Sequence, residues 1–408
     1  MCSSDLMAVR QKVITILKQV FESFGFQPLE TPTLEYATTL LGKYGSEADK
    51  LVYTFSDQGR RQVGLLYDLT VPVSKVLALY RNRLPLPFKR YQIQNVFRAE
   101  KPQKGRYREF TQCDIDTFGI ASPLADAEIV QVIYQALKEL KLGEFIINLN
   151  SRTVLGQILK QTGIEEKSQQ LSVLQSVDKL DKKTEKEVKK ELLDKKLTTT
   201  QIDQLLAVIK KAQPDEDLKL IFDFLAKAGI PANCYRFNPK MVRGLDYYTR
   251  AIFETVITKP KIGSITGGGR YDQLVSQLGG PKITGTGTTI GLDRICDVIV
   301  ANRLWPDLIP CPTKILVTVF SPELQKNSQA LATLLRYRNR VNTEVYLDPA
   351  VKLEKQLKYA DKKGIEWVAV IGPDEMKNRT VSLKNLKTRT QVIVAEETVV
   401  EIINGPTT

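Results

Sequence analysis

Between Phe97 and Asp116 the chain reads FRAEKPQKGRYREFTQCDID. Arg98, Glu100, Arg106, Gln112, Asp114 and Asp116 gather around a Pro-Gln-Lys-Gly turn, which predicts a hairpin with arms over 89–99 and 107–118. Alternate residues of a strand share a face. Phe110, Gln112, Asp114 and Asp116 therefore point one way, as do Arg98 and Glu100 on the other arm. Each such polar group, buried and unpaired, costs about 1–3 kcal/mol, so either water covers that face or a polar ligand fills it. Guanidinium groups offer a planar fork of donors that suits phosphate. Carboxylates suit a cationic or hydrogen-bond-donating group. A ligand with both characters is an amino acid beside a nucleotide.

Three other stretches carry chemistry in their residue types. RGLDYYTR (243–250) sets an arginine beside paired tyrosines, and GGGRYD (267–272) allows close backbone approach. GLDRI (291–295) opens a helix with Arg294 in its first turn. Singly these are weak, since a glycine run is usually a turn and a lone arginine usually lies on the surface. There is no histidine in the chain. Its own side chains therefore supply no imidazole base and no His-ligated metal.

These residues need elements to hold them. Val9, Val13, Ile16, Leu17, Val20, Phe21 and Phe24 have helical spacing over 7–24, and Gly25 stops the helix. Pro32 favours an edge or a bend. Residues 51–56 and 61–66 read as strands about a turn, 73–82 and 123–141 as helices, and 234–257 as strands. Residues 152–230, with DKLDKKTEKEVKKELLDKK inside them, read as a helical insertion. That insertion is either a solvated bundle or a nucleic-acid contact. WPDLIPCP (305–312) is a linker, and strand and helix patterns alternate after it, as in a small α/β domain.

Length and composition bound the rest. A chain of 408 residues predicts two or three domains, and 42% hydrophobic residues supply their cores. No run of eighteen apolar residues occurs, so no membrane span is expected. Cys2, Cys113, Cys234, Cys296 and Cys311 are scattered without a C-x-x-C pair, which suits a reduced, cytoplasmic protein without a zinc site. The net charge of +13 makes nucleic acid the first partner to consider, although solubility alone would also account for it.

In their order along the chain, these motifs resemble the histidyl-tRNA synthetases, a family of class II aminoacyl-tRNA synthetases. The resemblance runs from about Met7 to the C-terminus. The opening stretch is similar to the family's motif 2, RGLDYY to its histidine signature, GLDR to its motif 3, and LLYDLTVP (65–72) to the segment holding the substrate's amino group. The resemblance implies an α+β fold, with an antiparallel-sheet catalytic domain over 7–151 and 231–304. It also implies a helical insertion over 152–230 near the acceptor stem, and an α/β anticodon-binding domain over 313–408. That last segment holds 15 Lys and Arg against 11 Asp and Glu, a net of +4, which is compatible with tRNA.

The resemblance also implies roles. Arg98 would bind the α-phosphate of ATP, Arg106 the γ-phosphate, and Arg243 would face the α-phosphate from the other side. Phe110 would stack on adenine with Arg294 across its other face, and Glu100 would orient the nucleotide. Asp68, Thr70 and Gln112 would hold the α-amino group of L-histidine, with Asp116 and Tyr247 near the imidazole and Tyr248 lining the pocket. Mg²⁺ is expected on the pyrophosphate oxygens, with no protein-held metal. The partners are tRNA(His), whose acceptor end would meet the PQKG turn, and a second copy of the chain across motif 1 (7–24 and the Pro32 segment).

Two other functions fit parts of this pattern. A non-catalytic, synthetase-like regulatory subunit of ATP phosphoribosyltransferase is one, but Arg98, Arg243, Arg294 and residues 313–408 are all present. A class II synthetase for another amino acid is the second, and the acid with paired tyrosines argues for imidazole. The family's Gly/Arg/Asp segment before the first helix is absent and MCSSDL stands in its place, so a foreign N-terminal peptide is expected there. Thr111 stands where many relatives carry histidine, on the opposite strand face from Gln112. The lack of histidine has two open readings: translation of the enzyme when histidyl-tRNA is scarce, or compositional bias.

Overall fold

The structure, a computed structural model, describes residues 4–43, 49–103, 105–181, 183–242, 247–260, 262–306, 308 and 311–404. Two compact units divide it, one over 10–306 and the other built on 311–404.

The first unit carries β1 (Gln27–Pro28), β2 (Leu34–Tyr36), β3 (Thr54–Ser56), β4 (Gln62–Leu65), β5 (Phe88–Phe97), β6 (Glu109–Phe118), β7 (Phe145–Ser151), β8 (Tyr235–Phe237), β9 (Ala251–Ile257), β10 (Ser264–Arg270) and β11 (Gly285–Gly291). Eight of them form one sheet in the order β1-β5-β6-β11-β10-β9-β7-β8. Its central pairs are antiparallel, and β1 and β8 add parallel edges. A small sheet, β2-β4-β3, lies beside it.

The first helix, Ser4–Ser23, buries Val13, Leu17, Val20 and Phe21, the stripe its spacing predicts, and Gly25 follows it at φ +80°. The helix expected over 73–82 begins earlier, at Thr70, and ends at Tyr80. The Asp68 carboxylate accepts from the Val71 amide at 3.2 Å and so closes the first turn three residues sooner. The hairpin arms are also shorter than expected. The Arg98 amide still donates across the hairpin to Arg108 O at 2.8 Å, but that of Ala99 turns away to Leu51 O at 2.8 Å.

Helix Pro123–Glu139 packs on β6, β10 and β11 and buries Ile129, Ile133 and Leu137. Arg270, 1% exposed, fixes β10 to that helix through Asp126 at 2.7 Å and two carbonyls. Residues 152–227 form helices Arg152–Gln161, Lys167–Val177, Glu185–Asp194, Thr199–Lys211 and Glu216–Lys227. Capping boxes at Thr184 and Thr198 start the third and fourth. The last packs against helix Pro123–Glu139 and so joins the layer behind the sheet.

The second unit holds β12 (Ile315–Val317), β13 (Thr343–Val345), β14 (Trp367–Val370), β15 (Thr380–Asn385) and β16 (Gln391–Ala395) in the order β13-β12-β14-β15-β16. The first three are parallel and linked through helices Gln325–Thr333 and Leu353–Lys363, the α/β alternation expected from the sequence. Ile315, Val317, Leu331, Ala369 and Leu383 form its core.

Candidate active site

Strand register assembles the site. Gln112 pairs with Gln94 and Gly291, Asp114 with Gln92 and Thr289, and Asp116 with Arg90 and Gly287. Three rows of side chains therefore cross β5, β6 and β11 on one face. A cavity of about 390 Å³ opens over this face. Its walls include Asp68, Thr70, Arg98, Glu100, Arg106, Phe110, Gln112, Tyr247, Tyr248 and Arg294, ten of the twelve residues expected from the sequence.

The cationic groups are held by aromatic faces and carbonyls. The Arg98 guanidinium lies 4.4 Å from the Tyr67 ring centre and 5.1 Å from that of Phe110, and its Nε donates to Tyr67 O at 3.2 Å. Arg294 donates to Gly105 O at 2.9 Å and Ser264 O at 2.5 Å, which binds the start of helix Leu292–Ala301 to the PQKG turn. Arg106 forms a 2.8 Å ion pair with Glu100. Arg106 is half-exposed, so a stronger anion can draw it away.

The acceptors are buried. Asp68 is 2% exposed and takes the Tyr247 hydroxyl at 3.2 Å as well as the Val71 amide. The Tyr247 ring meets those of Tyr248 at 4.9 Å and Tyr271 at 5.8 Å, both edge-on. Gln112 is 5% exposed; its amide reaches Thr289 Oγ1 at 3.5 Å, while its Oε1 is buried without a hydrogen-bond partner. A buried acceptor left open on a cavity wall suits a ligand N–H.

Two expected residues are not among these walls. Asp116 stands behind the cavity, 2% exposed, paired with Arg90 at 2.5 Å and accepting from the Tyr271 hydroxyl. The polar face is thus closed by a third means besides water and ligand, a buried guanidinium on the facing strand. Burial pushes the Asp116 carboxyl up, with Arg90 and Tyr271 pulling against it. Asp114, 1% exposed, is pushed up to about 8 by burial, which Arg90 opposes. Arg243 lies outside the described residues.

Several wall residues were not expected: Glu254 on β9, Thr266 on β10, Thr289, Asp178 and Asp293. Glu254 had a visible signal, a lone charge within the apolar run AIFETVI. Asp178 comes from the helical insertion and accepts from the Val242 amide at 3.2 Å. Thr111 is itself on the wall and anchors it: it donates to Asn95 at 2.6 Å, accepts from Arg10 at 2.8 Å, and its amide donates to Asp293 at 2.9 Å. Among the described residues no three His, Cys, Asp or Glu side chains gather to hold a metal, and no helix is long and apolar enough to cross a membrane.

Comparison with known proteins places the chain among the histidyl-tRNA synthetases. Residues 5–295 match the family model for histidyl-tRNA synthetase, and residues 314–405 match that for an anticodon binding domain. The histidine–tRNA ligase of Cytophaga hutchinsonii is 37% identical over 436 aligned positions, covering 97% of this chain and 95% of the relative. That of Helicobacter acinonychis is 38% identical over 412 positions, covering 94% and 91%. The crystal structure of histidyl-tRNA synthetase from Nostoc sp. PCC 7120 superposes with a TM-score of 0.83 at 28% identity, covering 97% of this chain and 95% of that one.

Proposed function

This chain belongs to the histidyl-tRNA synthetase family, and from that premise we propose that it works as a histidine–tRNA ligase. The carboxylate of L-histidine attacks the α-phosphorus of ATP and pyrophosphate leaves. A ribose hydroxyl at the 3′ end of tRNA(His) then attacks the histidyl carbonyl and AMP leaves. The observation that carries the reading is one cavity walled by Arg98, Arg106 and Arg294 together with the buried acceptors Asp68 and Gln112. That is a two-character site for a polyanion and an ammonium group.

Within it, Arg98 and Arg106 receive the α- and γ-phosphates, Arg106 leaving Glu100 to do so. Adenine lies between Phe110 and Arg294. Asp68, Thr70 and the open Oε1 of Gln112 hold the ammonium group, and Tyr247 and Tyr248 line the imidazole. Asp116 acts on the imidazole end from behind, through Tyr271. Arg243 completes the α-phosphate clamp. The barrier falls because both reactants are oriented and fixed positive charge meets the developing negative charge. Mg²⁺ would neutralise charge on the pyrophosphate oxygens, which would supply most of its ligands, with Glu100 the wall carboxylate beside the arginines.

Residues 314–405 are read as the anticodon-reading part. The small sheet exposes Leu34, Tyr36 and Phe55, each by 46–49%, and is read as the surface covered by a second copy in a homodimer. The described cysteines form no disulfide with one another, in keeping with the cytoplasm, where tRNA is charged.

Histidine-dependent exchange of labelled pyrophosphate into ATP tests the reading without tRNA. Exchange with histidine alone is expected. Silence would favour a regulatory, synthetase-like protein, and exchange with another amino acid would overturn the pocket.

A further inference from the structure

We propose that Arg90 is a positioning residue for histidine: it ties the acid behind the cavity to the backbone that carries the amino-group acceptors. The inference rests on the histidine–tRNA ligase reading. Arg90, the third residue of β5, is fully buried. Taking a guanidinium out of water is costly unless charges and hydrogen bonds meet it, and a well-packed apolar side chain often serves stability as well. Here the pairing is incomplete, since Nε has no hydrogen-bond partner. Stability alone is therefore a poor account of this arginine.

Its contacts give a better one. One terminal nitrogen lies 2.5 Å from the Asp116 carboxylate and also donates to the carbonyl of Leu69 at 3.1 Å. The other donates to Gln92 Oε1 at 3.2 Å. Leu69 stands between Asp68 and Thr70, both on the cavity wall. From Asp116 the contacts run onward. Asp116 accepts from the Tyr271 hydroxyl, the Tyr271 ring meets the Tyr247 ring at 5.8 Å, and the Tyr247 hydroxyl donates to Asp68 at 3.2 Å. Asp68 is joined through the chain to Leu69, and Leu69 O returns to Arg90. The circuit is closed, and Arg90 makes two of its links. It borders the histidine end of the site and includes none of Arg98, Arg106, Phe110 or Arg294.

Losing Arg90 leaves the Asp116 carboxyl buried without its cation and frees the Leu69 carbonyl, so both walls of the histidine pocket shift. Lysine keeps the charge but lacks the planar fork that reaches an acid and a carbonyl together.

The test is histidine-dependent pyrophosphate exchange on the full chain, with wild type, Arg90→Met, Arg90→Lys, Asp116→Asn and the Arg90→Met/Asp116→Asn double variant. Arg90→Met should raise KM for histidine at least tenfold and leave KM for ATP within twofold. Arg90→Lys should recover part of that loss. The double variant should lose less than the product of the two single losses, because both act through one circuit. Parallel rises in both KM values, an unchanged histidine KM, or multiplying losses would overturn the proposal. If melting curves show that Arg90→Met does not fold, the split between the two KM values in Arg90→Lys decides by the same criterion. A wild type silent with histidine would remove the ligase reading and this inference with it; an active wild type with the wrong split removes the inference alone.

Discussion

Tyr247 donates its hydroxyl hydrogen to the Asp68 carboxylate at 3.2 Å, although the two residues are 179 positions apart. One lies in the histidine signature and the other precedes helix Thr70–Tyr80, so this bond joins two walls of the cavity. Hydrogen bonds to a charged group contribute about 1.5–3 kcal/mol. Tyr247→Phe keeps the ring contacts with Tyr248 and Tyr271 and removes this bond. It should raise KM for histidine about tenfold, as one such bond allows, with KM for ATP unchanged in the same exchange assay.

Arg98 rests on two aromatic faces and a carbonyl, none of which is an acid. Its charge is therefore not neutralised by any of these contacts. Replacing it with alanine should lower kcat for exchange by about 10²–10³-fold, the scale of losing one preorganised charge-stabilising donor. Its surroundings are cavity rather than core, so the melting temperature should move little.

Gly287 faces Asp116 across β11 and β6. A Cβ at this position would sit 2.1 Å from Asp116 Oδ1 and 2.5 Å from Ile115 O, the second a backbone atom that cannot swing aside. Gly287→Ala should destabilise the protein by about 1–3 kcal/mol, as overpacking does. It should also weaken histidine binding because it displaces the Asp116 oxygen that accepts from Tyr271. Denaturant melting together with the histidine KM checks both; an unchanged KM would mean that Asp116 has no bearing on the pocket.

How far the site could be read from the sequence follows from the range of each signal. The stripe Val13, Leu17, Val20 and Phe21 is local and marks a helix directly. Arg98, Arg106 and Gln112 announce a site because a hairpin so rich in polar groups has no apolar core to fill. Arg90 sits in FKRYQIQNVF, where nothing local says that it pairs with Asp116; that pairing is a cross-strand register fixed only by the folded sheet. The alternation of β6 correctly put Phe110, Gln112, Asp114 and Asp116 on one face, but depth into the fold separates the first two, on the cavity wall, from the last two, buried behind it. Asp178 reaches the cavity from the insertion, a placement that no spacing rule carries.

The exposed face of β2, β3 and β4 gives a separate expectation. Leu34, Tyr36 and Phe55 project from a sheet too small to stand alone. If a second copy covers them, light scattering should give twice the chain mass at micromolar concentration. Phe55→Asp with Tyr36→Asp should give the single-chain mass with the circular dichroism unchanged. A wild type that scatters as one chain would sink the dimer.

Asp114 gives the pH dependence. Its carboxyl is raised from 3.8 to about 8, first by burial and with Arg90 opposing. Below the lower value it is protonated both folded and unfolded, and contributes no slope. Between the two values the unfolded chain has released the proton that the folded chain keeps, so stability falls as pH rises. Above the upper value the folded protein has released it too and the slope ends. Asp114→Asn imitates the protonated acid at every pH and lacks this slope. Melting temperatures taken from pH 5 to pH 9 should therefore diverge, with the variant gaining at least ~3 °C on the wild type at the alkaline end. A constant gap across that range would mean that Asp114 titrates as an ordinary carboxylate, and a wild type that gains on the variant with rising pH would reverse the sign.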